Sequence, residues 1–227
     1  MTRARVNRLI GFGTAASVDA FARIFGPATG AYYRWLARVL ARERPAAVSV
    51  LDVGTGPGLL LIALDRHYRH GRLVGLDSSE AMLLHARGRV SAAALAKRVQ
   101  LVRGTEYRLP FRSRSFDFVF ATGLLHHLDD PSGFFREAAR ILMPGGLLVA
   151  VGLRRDASCP VRAMAHLHGA WVRSRATGLD GLGRVLESSW TRGELERDLR
   201  AAGFAHLWVQ AGLVTLRIRA LAPVASS

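Results

Sequence analysis

Val50-Leu51-Asp52-Val53-Gly54-Thr55-Gly56-Pro57-Gly58 is the stretch whose reading decides the rest of the chain. Its apolar half reads as a short buried strand, and a helix opens directly after the glycines. Three glycines in five positions are a poor choice for packing alone. Glycine weakens strand and helix interiors, so it persists where the backbone needs positive φ or lies close to something bulky. A turn feeding a helix N-terminus is expected to point free N–H groups at a polar or anionic ligand.

Outward from this turn, strand and helix alternate. Apolar runs at 48–53, 73–76, 99–103, 116–121 and 147–153 read as strands. Helical periods lie between them: 58–67, then from Ser78-Ser79-Glu80 to about 94, and from Asp130-Pro131 to the Pro144-Gly145-Gly146 stop. Ser78-Ser79 offers a short-side-chain N-cap and Asp130 an acidic one, with Pro131 at the first helical position. Thr191 and Glu194 form a capping box that opens a helix to about 202, and Gly203 ends it. The runs 204–210 and 213–219, joined at Ala211-Gly212, read as a hairpin. The expected fold is therefore α/β, with a doubly wound, mostly parallel sheet of seven strands that closes on an antiparallel pair.

Two segments fall outside this alternation. Residues 1–16 show no period, and 18–42 read as aromatic-rich helix broken at Gly26-Pro27. Residues 1–45 are expected to form a helical lid on a core of 46–227. Residues 156–190 are basic, partly helical and glycine-rich, and read as an insertion into that core.

At 227 residues, half of them hydrophobic, the chain is long enough for one full-size domain. It has no uninterrupted apolar run of about 18 residues, so no membrane span is expected. A secretory leader is not expected either, because Ser17, Asp19 and Arg23 break the first apolar stretch. Cys159 is the only cysteine, which excludes an internal disulfide and fits a cytoplasmic protein. The formal net charge of +15 comes almost wholly from scattered arginines, with Lys97 the single lysine. No basic block is interleaved with aromatics, so nucleic acid is a possible partner but not the favoured one.

The spacing narrows the ligand of the glycine turn. A phosphate-binding P-loop needs Gly-Lys-Ser/Thr, and Gly58 is followed by Leu59-Leu60. A dinucleotide turn spaces its glycines G-x-G-x-x-G, and here the third glycine comes one position early. Asp77 ends the second strand roughly twenty residues on, where an acid can accept both hydroxyls of a ribose.

These residues resemble the class I S-adenosylmethionine-dependent methyltransferases, most of all the group around the ubiquinone/menaquinone biosynthesis methyltransferases. The likeness rests on five stretches in order: 51–58, 75–83, Leu109-Pro110-Phe111 before 115–119, Leu125-His126-His127-Leu128 before Asp130-Pro131, and 142–146. It implies S-adenosyl-L-methionine as cofactor. Gly54, Thr55, Gly56 and Gly58 would line its methionine part, and Asp52 would hold the turn and the amino group. Asp77 would take the ribose hydroxyls, and Ser78 and Met82 would border the adenine. Thr122 and Leu124 would sit beside the sulfonium. The family's usual adenine-binding Asp is missing, and Thr105 or Glu106 stands where it would be.

Methyl transfer from a sulfonium needs alignment and a dry site more than a covalent residue. A base helps where the acceptor is a hydroxyl or thiol, and His126 and His127 follow the fourth strand at the ligand-binding edge. Either one of them faces the acceptor or both pack and close the loop. No third ligand at fixed spacing makes them a metal site. Tyr32, Tyr33 and Trp35 are the lid residues placed to meet an acceptor. The expected activity is methylation of a small organic acceptor. The alternatives are an RNA-directed methyltransferase, or a non-catalytic binding protein of the same fold.

Overall fold

The computed structural model describes residues 30–43, 45–46, 49–173 and 182–224. The expectations for residues 1–29, including the break at Gly26-Pro27, lie outside the described residues. The described chain opens with a helix over residues 30–43 (α1). The elements that follow are β1 (Ser49–Val53), α2 (Leu59–Asp65), β2 (Arg72–Asp77), α3 (Glu80–Ala92), β3 (Val99–Arg103) and β4 (Phe116–Thr122). After a 3-10 turn (Leu125–His127) come α4 (Pro131–Ile141), β5 (Leu142–Leu153), α5 (Cys159–Arg173) and α6 (Leu182–Ser188). The chain closes with α7 (Arg192–Ala201), β6 (Ala205–Ala211) and β7 (Thr215–Leu221).

The strands form one seven-stranded sheet in the order β3-β2-β1-β4-β5-β7-β6. Pairing is parallel from β3 through β5 and antiparallel at β5–β7 and β7–β6. Period-two alternation sends successive side chains of β4 to opposite faces. Phe118 and Phe120 join Leu36, Ala37 and Leu40 of α1 and Leu60, Leu61 and Leu64 of α2. Val119 and Ala121 join Phe134, Phe135 and Ile141 of α4 and Leu195 and Leu199 of α7. Both sheet faces are covered, which is why the central strands read as continuous apolar runs.

Asp117 interrupts one of those runs. Its carboxylate accepts the backbone amide of Ser49 at 2.9 Å and the Ser49 hydroxyl at 2.8 Å, while the Asp117 amide donates to that hydroxyl at 3.1 Å. The pair clamps the entry ends of β1 and β4, the strands that flank the site.

Two boundaries differ from expectation. Helix α4 ends at Ile141 instead of running to the Pro144-Gly145-Gly146 stop, and β5 begins at Leu142. Within the segment read as a glycine-rich insertion, Leu182–Ser188 forms α6, which packs against α5 and against the 3-10 turn. The capping box forms as expected. The Thr191 hydroxyl accepts the Glu194 amide, and the Glu194 carboxylate accepts the Thr191 amide at 2.8 Å. That carboxylate also accepts two hydrogen bonds from Arg155, at 2.9 and 3.0 Å, tying the end of β5 to α7.

Among the described residues no helix is long and apolar enough to cross a membrane.

Candidate active site

Parallel strands β1, β2 and β4 bring the predicted residues to one edge of the sheet. The order of strands reverses between β1 and β4, and a crevice at such a switch point is where open α/β sheets take ligands. The glycine turn lies on the β1 side of it.

The turn differs from its sequence expectation in one respect. Its amides are not free. Gly54 and Thr55 both donate to the Leu76 carbonyl, at 2.8 and 3.0 Å, and Gly58 donates to the Thr55 carbonyl at 3.0 Å. Gly56 donates to Asp77 Oδ2 at 2.8 Å. The neighbouring strand thus takes up the donors that an isolated turn would present to a ligand. The turn is therefore no anion cradle.

The three glycines all have positive φ, at 71°, 52° and 76° for Gly54, Gly56 and Gly58, yet serve different ends. A Cβ on Gly54 would lie 3.2 Å from Leu124 Cδ1, and one on Gly58 would lie 3.2 Å from Ala86 Cβ. Those two permit close packing. A Cβ on Gly56 would meet nothing within 4 Å, so this residue faces open space. Gly123, just past β4, is also at positive φ and faces open space.

Asp52 is 1% exposed. Its Oδ2 accepts the Thr55 hydroxyl at 2.9 Å, and its Oδ1 is enclosed with no hydrogen-bond partner. Burial pushes its carboxyl up to about 7; the Thr55 bond opposes the shift and the nearby Asp77 charge adds to it. Asp77 accepts Gly56 on one oxygen and the Ser79 amide on the other, at 2.9 Å. Burial raises its pKa too, against the stabilising bonds from the amides of Ser79, Gly56 and Ser78. Ser79 also caps α3, its hydroxyl accepting the Met82 amide at 3.3 Å. Met82 is buried and Ser78 is exposed.

Thr105 and Glu106 now separate. The Thr105 hydroxyl is engaged within its own turn, accepting the Tyr107 amide at 3.4 Å and donating to Glu106 Oε2 at 3.5 Å. Glu106 is half-buried, and its pKa is raised by burial first, with the charges of Asp77 and Asp129 adding to the shift. It therefore stands on the same side as Asp77. Tyr107, which the sequence reading missed, fixes this loop. Its hydroxyl accepts the amides of Asp129 and Asp130 at 2.8 and 3.4 Å, latching the loop after β3 to the start of α4. Nothing in the local pattern signals a pairing across 22 residues.

Helix α1 brings its aromatics to the same edge. Burial pushes the pKa of Tyr33 up to about 12, the Asp52 charge reinforcing the shift and the neighbouring buried Thr122 side chain opposing it. Tyr32 and Trp35 are 40% and 43% exposed, their ring centroids 6.0 Å apart. Tyr32 is 5.4 Å from Tyr33, centroid to centroid. Leu124 is half-buried against Gly54.

His126 and His127 lie in the 3-10 turn, their ring centroids 4.1 Å apart. Burial holds His127 down at about 4 and drives His126 well below the ordinary imidazole range, so both are neutral near pH 7. His126 Nδ1 is enclosed without a partner. Among the described residues no group of three His, Cys, Asp or Glu side chains is arranged to hold a metal.

Residues 51–150 match a family described as Methyltransferase domain. The demethylmenaquinone methyltransferase of Lactiplantibacillus plantarum is 35% identical over 124 residues, 54% of this chain and 52% of that protein. The O-methyltransferase resE of Aspergillus sclerotiorum is 32% identical over 125 residues, 54% of this chain and 47% of that protein. The chain spans about half the length of these curated relatives. A solved structure of an S-adenosylmethionine-dependent methyltransferase from Aquifex aeolicus superposes with a TM-score of 0.61 at 20% identity, covering 98% of this chain and 99% of that one; it shows a shared fold. Together with the Rossmann-like sheet and its glycine turn, the family match identifies residues 51–150 as a methyltransferase domain, similar to those of the demethylmenaquinone and ubiquinone/menaquinone methyltransferases.

Proposed function

We propose that this chain transfers a methyl group from S-adenosyl-L-methionine to a small organic acceptor. The observation that carries the reading is the pairing of two different acidic groups at one edge: Asp52, buried with an orphaned oxygen, and Asp77, which braces the glycine turn. A turn with its amides already committed does not suit a phosphate, and it does suit a ligand without one. The Asp52 oxygen fits a cationic amino group, since a buried acceptor without a partner favours a donor brought by a ligand. The Asp77 carboxylate keeps a lone pair for a ribose hydroxyl. Glu106 suits an exocyclic amine better than Thr105, whose hydroxyl serves its own turn. Gly54, Thr55, Gly56 and Gly58 shape the channel, Ser78 and Met82 border the adenine, and Thr122 and Leu124 flank the reacting centre.

The bound cofactor supplies a methyl group already activated on a sulfonium. This chain's residues align the acceptor with it and keep water out. We assign residues 1–45 as a lid, of which α1 carries Tyr32, Tyr33 and Trp35 to the edge. The core is 46–227, and the insertion at about 156–190 borders the acceptor side through α6, next to His126 and His127. The two histidines are neutral near pH 7, and the burial that keeps them so makes each a weaker proton acceptor than an ordinary imidazole. The single cysteine suits a reducing, cytoplasmic setting.

The test is calorimetric titration with S-adenosylhomocysteine, followed by a mass-spectrometric screen of quinone, phenol and polyketide acceptors. Cofactor binding together with methylation of a small acceptor is expected. Methylation of RNA while every small acceptor stays unmodified sinks the reading.

A further inference from the structure

The sheet order splits the ligand edge in two. The glycine turn and Asp77 occupy the β1–β2 half, leaving β4, β5 and β7 for whatever receives the methyl group. Across that second half Thr122 is paired with Val151, and Val151 with Arg217. Directly paired residues point to the same face, so the three form one row beneath α1. Neighbouring strands lie about 4.8 Å apart, which puts Arg217 roughly 10 Å from Thr122 along the row.

Helix α1 meets both ends of it. Tyr33 neighbours Thr122, and the Arg217 guanidinium carbon lies 5.7 Å from the centre of the Trp35 ring system. Tyr32 stands between, close enough to Arg217 to feel its charge.

The neighbouring cations are already paired. Arg219 bonds to Glu43, Arg192 to Glu196, and Arg155 to Glu194. Arg217 is half-buried and has no carboxylate partner among the described residues. A guanidinium held over an indole still has N–H donors to offer a two-oxygen anion. The fork geometry matches a carboxylate, and the rings beside it offer a planar apolar surface.

We propose that Arg217, backed by Trp35, anchors a carboxylate of the methyl acceptor, and that the acceptor is therefore a planar aromatic acid lying against Tyr32 and Trp35. This rests on the methyltransferase reading above. The distance along the row suits one substituted ring system with its acid at the Arg217 end and its methylated atom near Thr122. Arg217 is a specificity-determining residue in this scheme, remote from the reacting atoms.

The test titrates tryptophan emission of the full chain, saturated with S-adenosylhomocysteine, with 4-hydroxybenzoate, 6-hydroxy-2-naphthoate and the methyl ester of each. At least one acid is expected to bind about tenfold or more tightly than its ester. Arg217→Gln is expected to erase that preference while leaving S-adenosylhomocysteine affinity within about twofold, with Arg217→Lys retaining part of it. Equal binding of acid and ester, binding of neither, or a preference that survives Arg217→Gln overturns the proposal while leaving the methyltransferase reading in place. Absence of S-adenosylhomocysteine binding by the unaltered chain sinks that reading and this proposal together.

Discussion

Asp77 accepts the amide of Gly56 at 2.8 Å across 21 residues of chain. The same carboxylate accepts Ser79 on its other oxygen, so one side chain fixes both the glycine turn and the start of α3. Asp77→Ala removes an acceptor from two backbone amides as well as the acid proposed to face the ribose. S-adenosylhomocysteine affinity is expected to fall more than about tenfold. Asp77→Asn, which keeps one acceptor oxygen, is expected to fall between. Calorimetry on the three proteins reads this, and an unchanged affinity for the alanine variant removes Asp77 from the site.

The glycines separate packing from binding. Gly56→Val places a side chain in open space at a left-handed φ, at a cost of roughly 1–2 kcal/mol in backbone strain. Gly58→Val adds a collision with Ala86 to the same strain. The expected pattern is a modest loss of melting temperature and no detectable cofactor binding for Gly56→Val, and a larger thermal loss for Gly58→Val. Normal binding by Gly56→Val means that the open space at this residue is not the ligand's.

Asp52 makes both stability and binding depend on pH. Burial holds its carboxyl at about 7 in the folded chain, whereas the unfolded chain titrates it near 4. Between those values the folded state keeps a proton that the unfolded state has lost, so this group's contribution to stability falls as pH rises and levels off above about 7. At about 1.4 kcal/mol per unit, the window amounts to at most about 4 kcal/mol. Melting temperatures from pH 4.5 to 8 are expected to fall relative to those of Asp52→Asn. A cationic ligand group arriving at Oδ1 favours the ionised form, so Asp52 is expected to release part of a proton on cofactor binding at pH 7. Calorimetry in buffers of different ionisation enthalpy measures that release, which disappears in Asp52→Asn.

The histidine pair gives a spectroscopic prediction. With His127 held at about 4 and His126 well below the ordinary imidazole range, neither ring is expected to show an NMR titration between pH 5.5 and 8. A midpoint near 6.5 for either one means that the 3-10 turn is more open to water than the structure shows.

The Tyr107 latch is the last test. Tyr107→Phe leaves the Asp129 and Asp130 amides without their acceptor, at a cost of about 1 kcal/mol where water can partly replace it. Because the latch holds the loop bearing Glu106, affinity for S-adenosylhomocysteine is expected to drop by a few-fold while affinity for homocysteine-free methylthioribose stays low and unchanged. Equal affinity in both proteins means the latch does not govern the adenine end.

Legibility in the sequence followed the range of the interactions. Val99–Arg103 and the Thr191–Glu194 box were readable residue for residue, because period and capping are set within a few positions. The glycine spacing and Asp77 were readable because both sit at strand ends that hydrophobic runs define. The commitment of the turn's amides was not, since Leu76 and Asp77 reach them from another strand. The Ser49–Asp117 clamp, the Tyr107 latch and the Arg217–Trp35 stack join residues 68, 22 and 182 positions apart, and no local pattern encodes such pairs. Leu182–Ser188 was hidden by the glycines around it, where packing against α5 overrides weak helix propensity.

Glu43, in the last turn of α1, is bonded to Arg219 on β7, 176 residues later. The strands that α1 covers also follow it in the chain. On the ribosome, α1 therefore emerges long before the surface it docks on. At 5–20 residues per second that interval is roughly 10–35 s. Leu36 and Leu40 stay uncovered only until Phe118 and Phe120 have been made, whereas the Glu43–Arg219 bond waits for the end of the interval. The N-terminal helix is the first part of the described chain to be made and among the last to be secured.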